Sequence, residues 1–351
     1  MCDSEKENGS NVTPLLQAHL AYTEEGNKKE NGSNVTLALV TGAGGFIGHH
    51  IVKIFVKHGW KVYALVHRHI PEEFDDFCNL TIIRGDVTSK NIAEEILTKI
   101  GRKPDVVVHA AGLASDVGSD EIYRKLNFES VKKISRLYAK KFIFISSTDV
   151  YGIKDFSGED EDALPFETNF LSPYPKYKVE SEKWITANIP ADEYVILRPA
   201  AVYGEGDKTI EKRVLDFLAT SPFIVNFGKW NGRNRWPAAN VETVAKVAYA
   251  TAVFDDFNGE AINIIDEKKI TIDEYYRSIA RRHFPQKKFK SITLPFWFGK
   301  IIGWTSTTLS NMLGRTSAIF DPSFYALHHV SSNLDFSCEK QKAVLEKHEN
   351  S

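Results

Sequence analysis

Tyr174 and Lys178 stand four residues apart in the run Pro173-Tyr-Pro-Lys-Tyr-Lys178, the spacing that puts two side chains on one face of a helix. A tyrosine at its ordinary pKa of about 10 is a poor base at neutral pH. A lysine ammonium beside it favours the phenolate and lowers that pKa. Upstream, Ser146-Ser147-Thr148-Asp149-Val150-Tyr151-Gly152 follows a short apolar run. A serine hydroxyl at the end of such a run can hydrogen-bond a substrate oxygen, so that a proton moves in a fixed geometry. Serine, tyrosine and lysine together suit proton transfer at an alcohol or carbonyl oxygen.

A second motif lies near the start of the apolar sequence. In Thr41-Gly-Ala-Gly-Gly-Phe-Ile-Gly48 the residues Gly42, Gly45 and Gly48 follow the spacing G-x-x-G-x-x-G. The first glycine allows a tight turn, the second lets the backbone approach a pyrophosphate, and the third lets a helix pack on its strand. A helix opened by Phe46 and Ile47 offers unpaired N–H groups and its positive dipole end to phosphates. The motif follows an apolar run and opens an amphipathic one, the strand–turn–helix context that dinucleotide binding requires. The positive ring of a bound nicotinamide would add to the charge of Lys178, and the same lysine could hold the ribose.

An NAD-selective site carries an acid at the end of the second strand, on the ribose hydroxyls. Here that strand ends Ala64-Leu-Val-His-Arg68, with Val66 near the expected acid and a base two residues on. Arg68, helped by His67, could pair with a 2′-phosphate through its planar fork; the alternative is a solvated surface arginine. The expected cofactor is NADP or NAD, with NADP favoured. Asp86, in Gly85-Asp-Val87, would lie near the adenine amino group.

These residues need a scaffold that brings strand ends to one edge. Apolar runs at Leu37–Val40, Lys61–Val66, Leu80–Ile83, Asp105–His109, Lys141–Ile145 and Tyr194–Leu197 read as strands. Helical stretches lie near Ile92–Ile100, Asp120–Leu137 and Tyr174–Ala187. This alternation predicts an α/β fold with a doubly wound parallel sheet. Its right-handed crossovers put all the strand C-termini along one edge. Beyond Gly204 the alternation stops. Trp230–Trp236 reads as a mobile loop, Val241–Ala252 as a helix, and Ala261–Ile265 as a further strand of the same sheet. Residues 36–206, completed by about 238–266, are expected to form the dinucleotide-binding domain. Residues 207–237 and 267–345 are expected to form a small, mostly helical substrate-binding region.

Composition narrows the class further. With 351 residues, 42% hydrophobic and 26% charged, the chain reads as an ordinary globular protein. A formal net charge of −2 gives no reason to expect nucleic acid or an anionic membrane as partner. Cys2, Cys78 and Cys338 show no metal-ligand spacing and suit a reducing compartment. No apolar stretch reaches the roughly 18 residues of a membrane span; the longest, Leu294 to Leu313, is broken by Lys300, Thr305-Ser306 and Asn311. A cytoplasmic protein is expected. Residues 1–35 are polar and carry one copy and most of a second copy of an octapeptide, Lys6–Thr13 and Lys29–Thr36; they read as a disordered tail.

Taken together, Thr41–Gly48, Asp86, His109-Ala-Ala-Gly112, Asn127, Ser146-Ser147, Val150-Tyr-Gly152, Tyr174 with Lys178, and Leu197-Arg-Pro-Ala-Ala-Val-Tyr-Gly204 resemble the extended short-chain dehydrogenase/reductase superfamily. That superfamily includes the NAD-dependent epimerase/dehydratases and the 3β-hydroxysteroid dehydrogenase-like enzymes. The resemblance implies a Rossmann fold with Tyr174 as general acid/base, Lys178 as its electrostatic partner and Ser147 as donor to the substrate oxygen. It also implies a cofactor site that adds Val87, Ala110, Ala111, Gly112, Asn127 and Pro199 to the residues above. A homodimer is a common state in the family.

The departures bear on substrate. Ala200 and Ala201 stand where sugar-nucleotide enzymes often carry an asparagine, and Thr148-Asp149 replaces the Asp-Glu pair of the dehydratases. Tyr177, in place of a small hydroxyl residue, is expected to crowd the site. The favoured activity is interconversion of an alcohol and a ketone on a fairly apolar small molecule. The alternative is a nucleotide-sugar epimerase or dehydratase that recycles its NAD.

Overall fold

The computed structural model describes residues 36–207 and 209–351, so the tail with its duplicated octapeptide lies outside the described residues. Alternating apolar side chains on each strand feed two cores, one on either face of a single sheet. Ala38 and Val40 of the first strand point into one core, Leu37 and Leu39 into the other. Such burial on both faces is what a parallel sheet covered by helices demands.

In chain order the first half comprises β1 (Leu37–Thr41), α1 (Phe46–Lys57), β2 (Lys61–Val66), β3 (Leu80–Arg84), α2 (Ile92–Ile100) and β4 (Val106–His109). It continues with α3 (Asp120–Tyr123), α4 (Ser130–Ile134), β5 (Lys141–Ile145), α5 (Pro173–Asn188) and β6 (Tyr194–Pro199). The second half holds β7 (Ala201–Tyr203), α6 (Ile210–Thr220), β8 (Phe223–Phe227), β9 (Arg235–Trp236), β10 (Ala238–Asn240), α7 (Val241–Val253) and β11 (Ala261–Ile264). It ends with β12 (Ile270–Thr271), α8 (Ile272–His283), β13 (Lys290–Leu294), α9 (Phe296–Met312), α10 (Phe324–Ser331) and α11 (Glu339–Glu349).

The main sheet has seven strands in the order β11-β6-β5-β4-β1-β2-β3, all parallel. The chain winds outward in both directions from the β1–β4 pair, which makes a crevice at the carboxyl ends of those strands. The expected doubly wound Rossmann sheet is therefore present, with Ala261–Ile264 as its outermost strand. Ile51, Val52 and Phe55 of α1, Val244 and Ala248 of α7 and Val344 of α11 fill one core. Ile92, Ile96, Val131, Ile134 and Ile185 fill the other.

Three local readings change. The helix expected over Asp120–Leu137 is interrupted by a π-helical segment, Arg124–Glu129, and ends at Ile134. The segment expected to be a mobile loop is anchored. Trp236 is buried and pairs with Ile270 across β9 and β12. The fully buried Asn234 donates to the carbonyls of Val330 and Ser332 at 3.1 and 2.8 Å. A polar-looking run is thus held by one indole and one amide. The C-terminal region is helical but also carries strand, since β8 and β13 pair in parallel.

Candidate active site

The glycine turn is built by close backbone approach. Gly42 has φ +66°, and a Cβ there would stand 2.7 Å from the Ala111 Cα. The turn after β1 is thereby pressed onto the segment after β4. A Cβ on Gly48 would meet the Gly42 carbonyl oxygen at 2.2 Å, so only glycine lets α1 settle on its own turn. Gly44, which the motif spacing passes over, is equally constrained: a Cβ there would lie 2.0 Å from the His69 carbonyl oxygen. Gly45 caps α1 without any side-chain hydrogen bond to the first amides. The N–H groups at Phe46 and Ile47 thus begin a helix with its positive end toward the crevice, the form a pyrophosphate requires.

Around this turn the other sequence-predicted residues fall at strand ends. Asp86 accepts hydrogen bonds from the Thr88 amide and hydroxyl, both at 2.8 Å, and lies 3.7 Å from His67 Nε2. Partial burial disfavours its charge, but the Thr88 bonds outweigh that and hold its carboxyl below the usual range. Arg68 is exposed at the end of β2. Val87 is a core side chain, so its backbone is what a ligand could meet. Pro199 ends β6 opposite Ile264. Beneath Ala110 and Ala111, Thr41 Oγ1 bonds His109 Nδ1 at 2.7 Å and accepts from the Ala111 amide at 3.3 Å. Complete burial, then the Lys178 charge, drives His109 down to about 3, so it is a neutral spacer between strands.

Asn127 sits in the π-helical segment with both ends of its amide engaged. Oδ1 accepts from the Leu113 amide at 2.7 Å and Nδ2 donates to the Leu113 carbonyl at 3.0 Å. It therefore fixes the loop that follows β4. Gly112, at the root of that loop, is closely approached: a Cβ would lie 3.2 Å from Asn127 Oδ1 and 3.7 Å from Lys178 Nζ.

Pro173 opens α5, and Ser172 caps it by accepting from the Tyr174 amide at 3.3 Å. Tyr174 and Lys178 then project together, with Lys178 Nζ 5.9 Å from the Tyr174 ring centre. The ammonium donates to the Ile145 carbonyl at 2.6 Å, at the end of β5. Burial brings Lys178 down to about 8, with Glu182 opposing. Ser147 lies beside the Tyr174 phenol and favours its ionised form. Burial, and after it the charge of Asp149, raises the Tyr174 phenol well above its usual range. Lys178, expected to favour the phenolate together with the positive nicotinamide ring, here bonds the Ile145 carbonyl.

The two adjacent serines differ. Ser146 turns inward and donates to Glu182, whereas Ser147 faces Tyr174 and accepts from the Asp149 amide at 3.2 Å. Glu182 is fully buried and chelated by Arg198, whose Nε reaches both carboxylate oxygens at 3.1 Å. Arg198 Nη1 in turn donates to the Tyr151 hydroxyl at 2.7 Å, and that hydroxyl donates to Asn263 at 2.8 Å. The motif residues Tyr151 and Arg198 are thus structural, tying α5 to β6 and β11. Tyr177 does not crowd the site: its ring stacks on Phe128 and its hydroxyl donates to Asp120.

Sequence reading passed over one set of residues. Tyr325 and His329 of α10 both reach Asp149, two residues from Ser147. Their only sequence signal is a tyrosine and a histidine four apart on a short helix.

The family model described as the NAD dependent epimerase/dehydratase family matches residues 38–264. The chain is 26% identical over 307 residues to the decarboxylating sterol-4-alpha-carboxylate 3-dehydrogenase of Candida albicans, covering 80% of this chain and 85% of that one. It is 27% identical over 207 residues to a 3-beta-hydroxysteroid dehydrogenase of Mycolicibacterium neoaurum, spanning 55% of either chain. Among solved structures, a UDP-glucuronic acid 4-epimerase from Bacillus cereus, in complex with UDP-glucuronic acid and NAD, superposes with a TM-score of 0.65. That match has 21% identity and covers 89% of this chain and 93% of the other, a likeness of fold. A glycine turn of the required form, the seven-stranded sheet and a match over most of the described residues agree: the chain belongs to the NAD dependent epimerase/dehydratase family.

Proposed function

We propose that this enzyme interconverts an alcohol and a ketone on a fairly apolar small molecule, with NADP(H) favoured over NAD(H). The reading is carried by one arrangement: Tyr174 and Ser147 lie next to each other beside a buried Lys178. A substrate oxygen that joins that pair is polarised by Ser147 and lies within reach of the Tyr174 proton. When bound, the nicotinamide supplies or accepts the hydride and, in its oxidised form, a positive charge.

The residues divide the remaining work. The raised pKa of Tyr174 keeps its phenol protonated at neutral pH, ready to protonate the oxygen of a ketone as it is reduced. In the oxidative direction the same group must first lose its proton, for which a nearby positive charge is needed. Lys178, which bonds the Ile145 carbonyl and faces Gly112, is assigned to a ribose hydroxyl. Arg68 is assigned to the 2′-phosphate. The likeness to two sterol and hydroxysteroid dehydrogenases supports the apolar substrate class.

The test is turnover of NADPH with a panel of cyclic ketones, by wild type and by Tyr174→Phe. The variant removes one hydroxyl, so a loss of roughly 10²–10⁴-fold in kcat with little change in cofactor affinity is expected. Turnover within threefold of wild type would remove Tyr174 from the chemistry. The ultraviolet spectrum of desalted protein separates the nearest alternative, because an epimerase that recycles its cofactor retains it through purification.

A further inference from the structure

A surface helix of a globular protein ordinarily buries its large apolar side chains and shows its small or polar ones. Helix α9 does the reverse. Gly299, Gly303, Ser306 and Ser310 are its buried residues. On the opposite face Trp297, Ile301, Trp304 and Met312 are 63%, 58%, 64% and 77% exposed. The inversion follows from close packing. A Cβ on Gly299 would stand 2.6 Å from Leu327, and one on Gly303 would stand 2.9 Å from the Phe324 Cα. The helix can approach α10 this closely only through its smallest side chains, which leaves Trp297, Ile301, Trp304 and Met312 outside.

We propose that this outward stripe docks the protein on an anionic lipid surface, with α9 lying in the plane of the interface. Charge distinguishes a bilayer from other apolar partners. Residues 275–320 contain eight Lys or Arg and no Asp or Glu, in a chain whose formal net charge is −2. Lys288 and Lys290 stand exposed before the stripe, Lys300 within the helix and Arg315 after it. Tryptophan with flanking cations is the composition of a helix seated at the headgroup level, and the cations favour an anionic leaflet. No helix among the described residues is long and apolar enough to cross a membrane, so the contact is peripheral. It also adjoins the reaction site. Asn311 of α9 accepts from the Gly118 amide at 3.3 Å, and Ser323 donates to Asp116 at 2.7 Å, tying both ends of the α9–α10 connection to the loop after β4. The docking surface stands independently of the chemistry at Tyr174.

The test uses the full chain with vesicles of phosphatidylcholine alone or mixed with phosphatidylserine. Sedimentation of the wild type with the mixed vesicles, a blue shift of its tryptophan emission and weakening by salt are expected. The variant Trp297→Ser/Ile301→Ser/Trp304→Ser should partition at least about tenfold less while melting at the wild-type temperature, since these side chains support no core. Lys288→Gln/Lys290→Gln/Arg315→Gln should lose the preference for phosphatidylserine. Wild type that stays in the supernatant with both vesicles overturns the proposal, as does equal sedimentation of the triple serine variant. A wild-type dimer that this variant dissociates, without vesicle binding, overturns it in favour of a second copy as the occupant.

Discussion

The carboxylate of Asp149 lies 3.4 Å from His329 Nε2, a contact between the loop that carries Ser147 and a helix 180 residues further along the chain. Tyr325, one turn earlier on α10, donates to the same carboxylate at 2.5 Å. Burial opposes both charges. The attraction wins: Asp149 is held below the usual carboxylate range and His329 is raised above the usual imidazole one, with Asp116 adding and Arg213 opposing.

The pair predicts a pH window for stability. A raised histidine contributes fully below its unfolded pKa of about 6.5 and loses that contribution as pH rises through the folded value. The depressed aspartate loses its contribution as pH falls through its own folded value. Thermal melts from about pH 6 to pH 9 should therefore show wild type losing stability above neutrality, and His329→Gln losing less. At neutral pH, His329→Ala should cost about 3 kcal/mol, because it leaves the Asp149 carboxylate buried without its cationic partner, Tyr325 alone remaining. Parallel melting curves for wild type and variant across that range would separate His329 from the fold's stability.

Asp149 also bears by its charge on the chemistry proposed at Tyr174. After burial, it is the next cause of the raised Tyr174 pKa. Asp149→Asn should move the Tyr174-dependent limb of the kcat/KM profile toward lower pH, since removal of a nearby negative charge favours the phenolate. Oxidation of an alcohol should then tolerate lower pH than in wild type. A limb that stays in place, in a variant that binds cofactor normally, would show that Asp149 acts on α10 alone.

The Glu182–Arg198 pair is the strongest candidate for a stability core outside the apolar clusters. Glu182 is fully buried and accepts from Ser146 as well as Arg198. Glu182→Ala would strand a guanidinium that also holds Tyr151, at a cost of about 3–5 kcal/mol in urea unfolding. Glu182→Gln keeps the volume and some hydrogen bonds and should cost less. A loss below about 1 kcal/mol for the alanine variant would mean that water or a neighbour replaces the carboxylate.

Much of this was legible because local signals and global fold agree. Leu37–Val40 is apolar throughout because both faces of β1 are covered, and of the glycines that follow, Gly45 and Gly48 answer to Gly42 within the same turn. Tyr174 and Lys178 share a helix, so their spacing alone sets them side by side. The contact of Asp149 with His329 depends on how α10 docks, which no spacing encodes. The orientation of α9 was hidden for a different reason. An alternation of small and large residues shows that a helix has two faces but not which one is buried, and only the approach of Phe324 and Leu327 to Gly303 and Gly299 decides it. The net charge likewise concealed an acid-free segment.

The proposed preference for NADP(H) rests on Arg68, exposed at the end of β2 with no ion pair described for it among the described residues. Its neighbour His67 faces Asp86 at 3.7 Å, which leaves the permanently charged arginine as the proposed partner of a phosphate on the ribose. A charge-assisted hydrogen bond of this kind contributes roughly 1.5–3 kcal/mol, or about ten- to hundredfold in affinity. Arg68→Ala should weaken NADPH by about that factor and leave NADH almost unchanged, as read by fluorescence titration of the two cofactors. Because the site is open to solvent, the preference of wild type should also shrink as salt is added. Equal affinity of wild type for NADPH and NADH, or equal weakening of both in the variant, would make Arg68 a solvated surface charge. The chemistry proposed at Tyr174 does not depend on that outcome, since the 2′-phosphate of NADP lies at the far end of the cofactor from the reacting ring.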